Sequence, residues 1–282
     1  MTSAGVARGA GGTPAGGPGG AGSAVGRLTL SIVGCSGSFP SPDSAASCYL
    51  LQAPAGAGGA VSRVLLDLGS GALGPLQRLT DVHDLDAVLL SHLHPDHFMD
   101  LCGLYVALKY DPDRSLGRRL LVYGPGGTAD RLRQAYGSDV GRLEEVFDVR
   151  EWRDHEPVVV GGLAVTPIRV NHPVEAYGLR AEAGGAVVTY TGDTDTCPAL
   201  HELARDADLL LAEASFQEGR DTVRDVHLTG QRAGQVATEA GARRLLLTHL
   251  PPWNDPGAVL AEARSSYPGP LDVVSAGQSY PL

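Results

Sequence analysis

The heptapeptide Ser91-His-Leu-His-Pro-Asp-His97 constrains the fold more than any other part of the sequence, because it crowds three imidazoles and a carboxylate behind the apolar run Ala-Val-Leu-Leu. That run predicts a buried strand. On extended chain His92 and His94 face the same way, while Asp96 and His97 approach from the turn into the next helix. Four strongly hydrated groups beside a buried strand are costly unless a cation satisfies them together. Their nitrogen and oxygen ligands favour zinc, with manganese or iron as alternatives.

Five further polar signals follow apolar runs that are typical of strands. Strand ends favour functional sites because rigid strands aim side chains into a cleft that is lined by loops. Each signal alone is weak, since a single histidine or a Gly-Asp pair at a strand end is usually structural. The signals are Asn171-His172-Pro173, Thr191-Gly192-Asp193-Thr194, Glu213, His227 and Thr248-His249.

The hydrophobic pattern predicts β-runs followed by alternating helices in each half of the chain, with hairpins between them. Such halves imply two sheets packed on each other, with helices outside. The predicted strands are 27–33, 47–52, 63–68, 86–91, 120–123, 157–160, 163–170, 176–183, 186–190, 209–212, 244–248 and 271–274. The predicted helices are 98–110, 129–136, 198–205, 230–240 and 256–265.

Composition divides the chain into a tail and one domain. Residues 1–26 contain almost no bulky apolar side chain, which predicts a disordered Gly/Ala-rich tail before a domain at 27–282. The tail lacks the pattern of a signal peptide, and no run of about 18 apolar residues occurs, so we expect a soluble, cytoplasmic protein with no membrane partner. Four cysteines without a CxxC pair favour reduced thiols over a disulfide framework. The net charge of −10 disfavours nucleic acid as a partner.

The heptapeptide also matches the HxHxDH signature of the metallo-β-lactamase superfamily, and the later signals follow in that superfamily's order. The resemblance covers roughly residues 27–280. It implies an α/β (α+β) fold, the αββα sandwich of two mixed β-sheets flanked by helices, with the site at the sheet edge. It also implies two divalent metal ions, Zn²⁺ first and Mn²⁺ or Fe²⁺ as alternatives. The implied ligands are His92, His94 and His172 for one ion, Asp96, His97 and His249 for the second, and Asp193 as the bridge.

The ligand chemistry suits hydrolysis. Two cations roughly 3.5 to 4 Å apart can hold a hydroxide, lower its pKa and neutralise the oxygens of an electrophile. A bridging carboxylate at Asp193 offers one oxygen to each ion. Di-iron relatives that perform oxygen chemistry carry Glu where this chain has His94, so the motif favours hydrolysis.

Two further residues resemble the ribonuclease Z-like phosphodiesterases. Glu213 in AEASF and His227 in DVHLTG are similar to the Glu and the His of that branch's HxT element. The resemblance implies that His227 donates a proton to the leaving oxygen while Glu213 orients it. With Asp96 these form the expected catalytic residues. The structural alternative for His227 is a solvent-exposed histidine beside a helix N-cap.

Within that branch the sequence looks closer to armless bacterial enzymes, the atypical class II-like cyclic-AMP phosphodiesterases. The matching stretches are 33–51, 92–110 and 172–180. Ribonuclease Z carries a long arm that grips transfer RNA, but here predicted elements fill the interval from His97 to His172 and leave no room for one. The loop 34–44 also lacks the Arg-Asn element that the endonuclease usually has, so both departures disfavour an RNA substrate. We therefore expect attack of a metal-bridging hydroxide on a small phosphodiester such as 3′,5′-cyclic AMP.

Three alternatives remain open: tRNA 3′-end processing, hydrolysis of a carboxylic ester, lactone or thioester, and binding of a ligand without turnover. Tyr177 and Arg180 are candidates for substrate contacts, or could simply satisfy a strand end. Asp67 is a candidate to orient a ligand histidine or to cap the following helix. Many members of the family dimerise, so the resemblance also implies a homodimer.

Overall fold

The computed structural model describes residues 27–55, 60–114, 117–137 and 143–282. The predicted tail, residues 1–26, lies outside these ranges. The strands are β1 (Thr29–Ser36), β2 (Ala45–Ala46), β3 (Cys48–Pro54), β4 (Val61–Leu66), β5 (Ala87–Leu89), β6 (Leu120–Gly124), β7 (Phe147–Glu151), β8 (Val158–Val160), β9 (Leu163–Arg169), β10 (Tyr177–Ala183), β11 (Ala186–Tyr190), β12 (Leu209–Glu213), β13 (Leu245–Thr248), β14 (Leu271–Val273) and β15 (Ser279–Pro281). The helices are α1 (Leu73–Leu76), α2 (Pro95–Phe98), α3 (Leu101–Tyr110), α4 (Thr128–Tyr136), α5 (Ala199–Leu203), α6 (Gly230–Glu239) and α7 (Pro256–Ser266).

Two mixed sheets form the centre of the molecule. In the first the strand order is β15-β1-β3-β4-β5-β6-β7, with β2 paired to β1, and in the second it is β14-β13-β12-β11-β10-β9-β8. Antiparallel pairs occupy the hairpin half of each sheet, while β4 to β7 and β11 to β14 run parallel. The expected αββα sandwich is therefore confirmed.

Strand periodicity explains the four layers. Alternate residues of one strand point to opposite faces of its sheet. In β3, Tyr49 and Leu51 face the core between the sheets, whereas Leu50 packs against the helices outside the first sheet. In β12, Leu211 faces the same central core and Leu210 packs under the outer helices of the second sheet. Both faces of each sheet are buried, which accounts for the nearly continuous apolar strands of this sequence.

Three strands lie outside the sequence-based expectation. β7 is a charged edge strand with the sequence FDVRE, and β2 has only two residues. Residues 271–274 were expected to be the last strand, but β15 follows and crosses to the first sheet, where Leu30 pairs with Tyr280. A three-residue strand that ends in proline carries no local periodicity, so its pairing depends on a distant partner.

The two sheets meet at one edge, where the loops after β4, β5, β9, β11, β12 and β13 converge. Two buried hydrogen bonds join the sheets there. The Tyr49 hydroxyl lies 2.8 Å from Thr248 Oγ1, and the Tyr190 hydroxyl donates to Asp67 Oδ2 at 2.9 Å. Among the described residues, none of the helices combines the length and the apolar character that a membrane crossing requires.

Candidate metal centre

Three histidines form the first group at this edge. His92 and His94 lie in the segment that joins β5 to α2, and His172 follows β9. Nδ1 of His94 lies 3.0 Å from Nε2 of His92 and 3.2 Å from Nε2 of His172. His172 Nδ1 lies 2.9 Å from the carbonyl oxygen of Val226, so this nitrogen donates and Nε2 keeps its lone pair. The three nitrogens converge as the ligands of one cation would.

The second group combines two histidines with two carboxylates. His249 Nε2 lies 3.1 Å from Asp96 Oδ2 and 3.3 Å from His97 Nε2. Asp193 Oδ1 is 3.3 Å from His97 Nε2, and its Oδ2 is 3.5 Å from His249 Nε2. Both carboxylates and both imidazoles are buried, and their ligand atoms lie within 4.8 Å of one another. The set offers four donors to a second cation.

Asp193 lies between the two groups. Its Oδ2 is 3.7 Å from His92 Nε2 in the first group, while its Oδ1 faces His97 in the second. Oδ1 is buried and accepts no hydrogen bond within the described part of the chain. A buried carboxylate oxygen without a donor is costly, and a cation would satisfy it. The residues present therefore fit a divalent-metal site, and the position of Asp193 fits a ligand shared by two ions.

Asp67 holds His97 in place. Its Oδ2 lies 2.7 Å from His97 Nδ1 and also accepts the Ser91 hydroxyl at 2.7 Å, while its Oδ1 accepts the Ser91 backbone N–H at 2.7 Å. Because Nδ1 of His97 donates to a carboxylate, Nε2 is left free to bind a metal. Of the two roles expected for Asp67, the contact with His97 fits the first, orientation of a histidine in the cluster. The backbone N–H of Leu73, at the start of α1, donates to Asp100 instead.

The electrostatics of the two groups differ. Burial lowers the pKa of His92 well below its usual range and also lowers the pKa of His94 and His172, so these imidazoles are neutral, as a metal ligand must be. Burial also opposes a proton on His97, but the charges of Asp193 and Asp67 outweigh it and raise the pKa of His97 well above its usual range. The second group therefore favours positive charge, which a divalent cation supplies.

A third pair stands beside both groups. His227 Nδ1 lies 2.8 Å from Glu213 Oε1, and its ring centroid is 5.6 Å from that of His172 and 5.5 Å from that of His249. Burial opposes protonation of His227, but the charge and hydrogen bond of Glu213 outweigh it and raise its pKa to about 9. His227 thus contacts one imidazole from each group. The sequence-based alternative of a solvent-exposed histidine does not hold, since this side chain is mostly buried.

Backbone amides fix Glu213. Its Oε1 accepts the N–H of Thr194 at 3.0 Å, and its Oε2 accepts the N–H of Ser215 at 3.0 Å. Since Glu213 is fully buried, these bonds leave its carboxylate one orientation, toward His227 Nδ1. Glu213 therefore positions His227 and has no exposed surface of its own.

A polar network holds the loop that carries His227. Asp195 Oδ2 accepts the backbone N–H of Asp225 and Nε of Arg224, both at 2.9 Å. Asp195 Oδ1 lies 3.4 Å from Arg232, whose Nε is 3.0 Å from Glu218. Sequence reasoning missed this network. The segment Gly-Asp-Thr-Asp at 192–195 contains Asp195, but nothing in the neighbouring sequence distinguishes this aspartate from an ordinary turn residue.

The two candidate substrate contacts lie elsewhere. The Tyr177 side chain is buried in the core between the sheets, and its hydroxyl donates to Glu175 at 2.8 Å. Arg180 donates to the carbonyl oxygens of Leu203 and Arg205 and pairs with Glu182. Both side chains are therefore engaged in holding strand β10, the structural alternative that the sequence left open.

Fold and site together define a class of protein: a two-sheet αββα sandwich with a cluster of histidines and aspartates at the edge where the sheets meet. The family model described as "Beta-lactamase superfamily domain" matches residues 62–250 of this chain. The chain belongs to the beta-lactamase superfamily.

Several relatives share most of their length with this chain. An uncharacterised protein of Mycobacterium leprae is 44% identical over 259 residues, which cover 90% of this chain and 89% of the relative. The probable metallo-hydrolase YhfI of Bacillus subtilis is 30% identical over 252 residues, covering 89% and 98%. Its crystal structure superposes with a TM-score of 0.81 at 28% identity, covering 91% of this chain and all of that one. A ribonuclease Z of Myxococcus xanthus is 29% identical over 273 residues, covering 76% and 86%.

Proposed function

We propose that this protein is a dinuclear-metal phosphodiesterase that hydrolyses a small phosphodiester, with 3′,5′-cyclic AMP as the leading substrate. One observation carries the proposal: the Glu213–His227 pair stands beside the metal ligands, with His227 Nδ1 2.8 Å from Glu213 and 3.9 Å from Asp193. An imidazole so placed can protonate a leaving oxygen. The pair is similar to the Glu and His of the ribonuclease Z-like phosphodiesterases, which favours a phosphodiester over a carboxylic ester, lactone or thioester.

The seven ligand residues would hold two divalent ions, zinc first and manganese or iron as alternatives. His92, His94 and His172 would bind one ion, Asp96, His97 and His249 the other, and Asp193 both. Two such ions supply a hydroxide at neutral pH and neutralise the oxygens of a phosphoryl group. This assignment is compatible with the similarity to YhfI, whose name describes a probable metallo-hydrolase.

The chain's own residues would manage the proton of the leaving group. Because Nδ1 of His227 donates to Glu213, its Nε2 is the nitrogen that can give a proton to the departing sugar oxygen. The charge and hydrogen bond of Glu213 raise the pKa of His227 and so favour the protonated imidazole that can donate. Glu213, anchored by two backbone amides, keeps the ring oriented and balances its charge. Asp96 would act through its metal and its contact with His249.

A small substrate is supported by the middle of the chain. Between His97 and His172 most of the described residues belong to α3, β6, α4, β7, β8 and β9. The net charge of −10 also opposes a large contact with a polyanion. Both features favour a mononucleotide-sized phosphodiester over an RNA.

The test replaces His227 by alanine and measures turnover of 3′,5′-cyclic AMP by metal-reconstituted protein. We expect a loss of about 10²- to 10⁴-fold in kcat, with metal content unchanged, because the proton donor is lost and the ligands are not. Glu213→Gln should show a smaller loss in the same direction. His201→Ala, which changes an exposed histidine paired with Glu239, is the matched control and should retain full activity.

The outcome also separates the alternatives. If wild-type protein loaded with zinc, manganese or iron leaves cyclic AMP, cyclic GMP, 2′,3′-cyclic nucleotides and bis-p-nitrophenyl phosphate intact, the phosphodiesterase proposal is wrong. Turnover of thioesters or lactones instead would identify the ester hydrolase, and binding without turnover the non-catalytic protein.

A second candidate is tRNA 3′-end processing, favoured by the similarity to the ribonuclease Z of Myxococcus xanthus. It predicts cleavage of an unprocessed transfer RNA at the same ligands. The same protein preparations should therefore be incubated with a precursor tRNA, and endonucleolytic cleavage faster than cyclic-nucleotide turnover would establish this candidate over the first.

A further inference from the structure

Two aromatic side chains lie exposed against each other on neighbouring loops. Phe39, in the loop after β1, is 42% exposed, and Trp253, in the loop after β13, is 63% exposed. Their ring centroids are 5.3 Å apart with an interplanar angle of 43°. We call these two residues the aromatic pair.

The chain contains few phenylalanine and tryptophan residues, so the exposure of two of them side by side is unusual. The sequence has four phenylalanines and two tryptophans. Phe98, Phe147 and Trp152 are buried, and Phe216 is half-buried with its ring 4.9 Å from His227. The chain thus leaves one phenylalanine and one tryptophan in solvent, and it brings them together.

The aromatic pair borders the metal centre. The backbone N–H of Ser38, next to Phe39, lies 3.3 Å from Nε2 of His249, one of the ligand nitrogens. Trp253 follows His249 by four residues on the same loop. Phe39 and Trp253 therefore lie on the two loops that border the second metal group, the loops after β1 and β13.

Backbone contacts hold the two loops together. Gly37 N–H donates to the carbonyl oxygen of Leu250 at 3.1 Å, and Ser36 pairs with Leu250 in a β-bridge. A Cβ at Gly37 would overlap the carbonyl oxygen of His249, so only glycine allows this approach. The rings are thus mounted on a fixed frame, as a binding surface requires.

The frame also reaches the proton-donating pair. Asn254, next to Trp253, donates through Nδ2 to the carbonyl oxygen of Ser215 at 2.8 Å, and Ser215 donates its own N–H to Glu213. The loop that carries Trp253 is therefore attached to the segment that carries Glu213.

We propose that the aromatic pair is the stacking platform for the base of a nucleotide substrate whose phosphodiester lies at the metal centre. This inference rests on the proposed phosphodiesterase function and specifies its substrate class. Phe39 follows Ser38, whose backbone N–H lies beside His249, and Trp253 lies on the same loop as His249, so both residues border the site that would hold the phosphodiester. Every base offers a flat π-face, so aromatic rings bind bases with little sequence preference.

The first experiment compares two substrates that differ only in the base. Wild-type, Phe39→Ala and Trp253→Ala proteins are assayed with 3′,5′-cyclic AMP and with the 3′,5′-cyclic phosphate of 1-deoxyribose, which keeps the 2′-hydroxyl and has no base. We expect each alanine to reduce kcat/KM for cyclic AMP by about 5- to 150-fold, the usual range for one lost stacking contact, and to leave the abasic substrate unaffected.

Two controls bound this result. Phe39→Tyr and Trp253→Phe keep a ring and should retain most of the activity on cyclic AMP. Tyr110→Ala removes another exposed aromatic side chain, 63% exposed on α3, and should change neither substrate. Equal losses on both substrates in the alanine variants would overturn the stacking role, as would no loss on either.

The second experiment needs no turnover. Titration with 5′-AMP should quench the fluorescence of Trp253, whereas ribose 5-phosphate, which has no base, should not. The other tryptophan, Trp152, is only 5% exposed and should not respond to either compound. The Trp253→Phe variant should lose the quenching. If nucleotides quench but none is hydrolysed, the proposed function fails and the platform stands; if cyclic AMP is hydrolysed without quenching, the platform fails alone.

The same variants decide whether the aromatic pair instead contacts a second copy of the chain. Sedimentation of wild-type and Trp253→Ala proteins should give the same mass. A change of mass, with both substrates affected equally, would assign the rings to a subunit contact and overturn the inference.

Discussion

At the scale of single residues, Asp67 is a buried carboxylate that orients His97, one of the clustered histidines. It is fully buried, and its Oδ2 receives hydrogen bonds from Ser91, His97 and Tyr190. Asp67 adopts a left-handed backbone conformation with a φ of 59°, which is uncommon outside glycine. Such strain persists where surrounding contacts over-determine it, here where the two sheets and the metal centre meet.

Replacing Asp67 by asparagine tests this role. The substitution preserves size but removes the charge and one acceptor facing His97, so the ring loses its fixed orientation. We expect the affinity for the bound metal to fall by about 10- to 100-fold. Competition with a chromophoric chelator measures it. Asp84→Asn, an exposed aspartate in the same half of the chain, should match wild type; an unchanged affinity in the Asp67 variant would contradict the prediction.

The sequence predicted which histidines and aspartates cluster better than it predicted the contacts that support them. His92 and His94 share a face because alternation along extended chain is a local property. By contrast, Val226, which fixes the tautomer of His172 through its carbonyl oxygen, contributes only backbone, so no residue pattern could mark it. Phe39 and Trp253 meet across more than two hundred residues, and their proximity follows only from the pairing of distant strands.

At the scale of elements, the segment between β12 and α6 is the part of the site with the least regular structure. It carries His227, and it is attached to the loop after β11 through Asp195, which binds the backbone of Asp225 and the side chain of Arg224. Arg232, at the start of α6, also contacts Asp195. The position of His227 thus depends on a polar network rather than on a strand.

Asp195→Ala should detach this segment. The change leaves Arg232 with a single acidic partner and frees the N–H of Asp225, so we expect a loss of turnover of at least about tenfold while metal content stays near wild type. A lower melting temperature should accompany it, because breaking a buried ion pair is destabilising. Turnover, metal content and thermal melting are measured on one preparation.

The control is Asp208→Ala, which breaks an ion pair with the exposed Arg243 at the opposite end of the sheet. It should have little effect on turnover. Wild-type turnover in the Asp195 variant would show that the segment holds its place without the network.

Element boundaries were predicted well wherever periodicity was strong. The helix expected at 230–240 is α6, Gly230–Glu239, and the strand expected at 209–212 is β12, Leu209–Glu213. β7 was missed because FDVRE is an exposed edge strand whose charges hide the alternation. Edge strands often carry such charges, since they discourage pairing with other chains.

At the scale of the whole molecule, the metal centre joins the two sheets. His92, Asp96 and His97 follow a strand of the first sheet, whereas Asp193 and His249 follow strands of the second. A bound cation is therefore held from both sides of the central core. Without that charge the buried carboxylates and imidazoles depend on one another alone.

Metal removal should therefore destabilise the entire fold. We expect a chelator to lower the melting temperature and added zinc or manganese to restore it, because a ligand that binds only the folded state stabilises it in proportion to ln(1 + [L]/Kd). Differential scanning calorimetry with and without metal gives the shift. Asp193→Ala should melt at a lower temperature and respond less to metal; an equal response in both proteins would contradict the bridging position of Asp193.

The pairing of β1 with β15 affects how the protein can fold during its synthesis. Thr29 lies opposite Pro281, so during synthesis β1 leaves the ribosome about 250 residues before its partner β15. Until then the outer edge of β1 is open to other strands, including those of neighbouring nascent chains. Contacts of such long sequence separation also slow folding. The arrangement delays completion of the first sheet until β15 has been made, and it places the greatest risk of misassembly before that point.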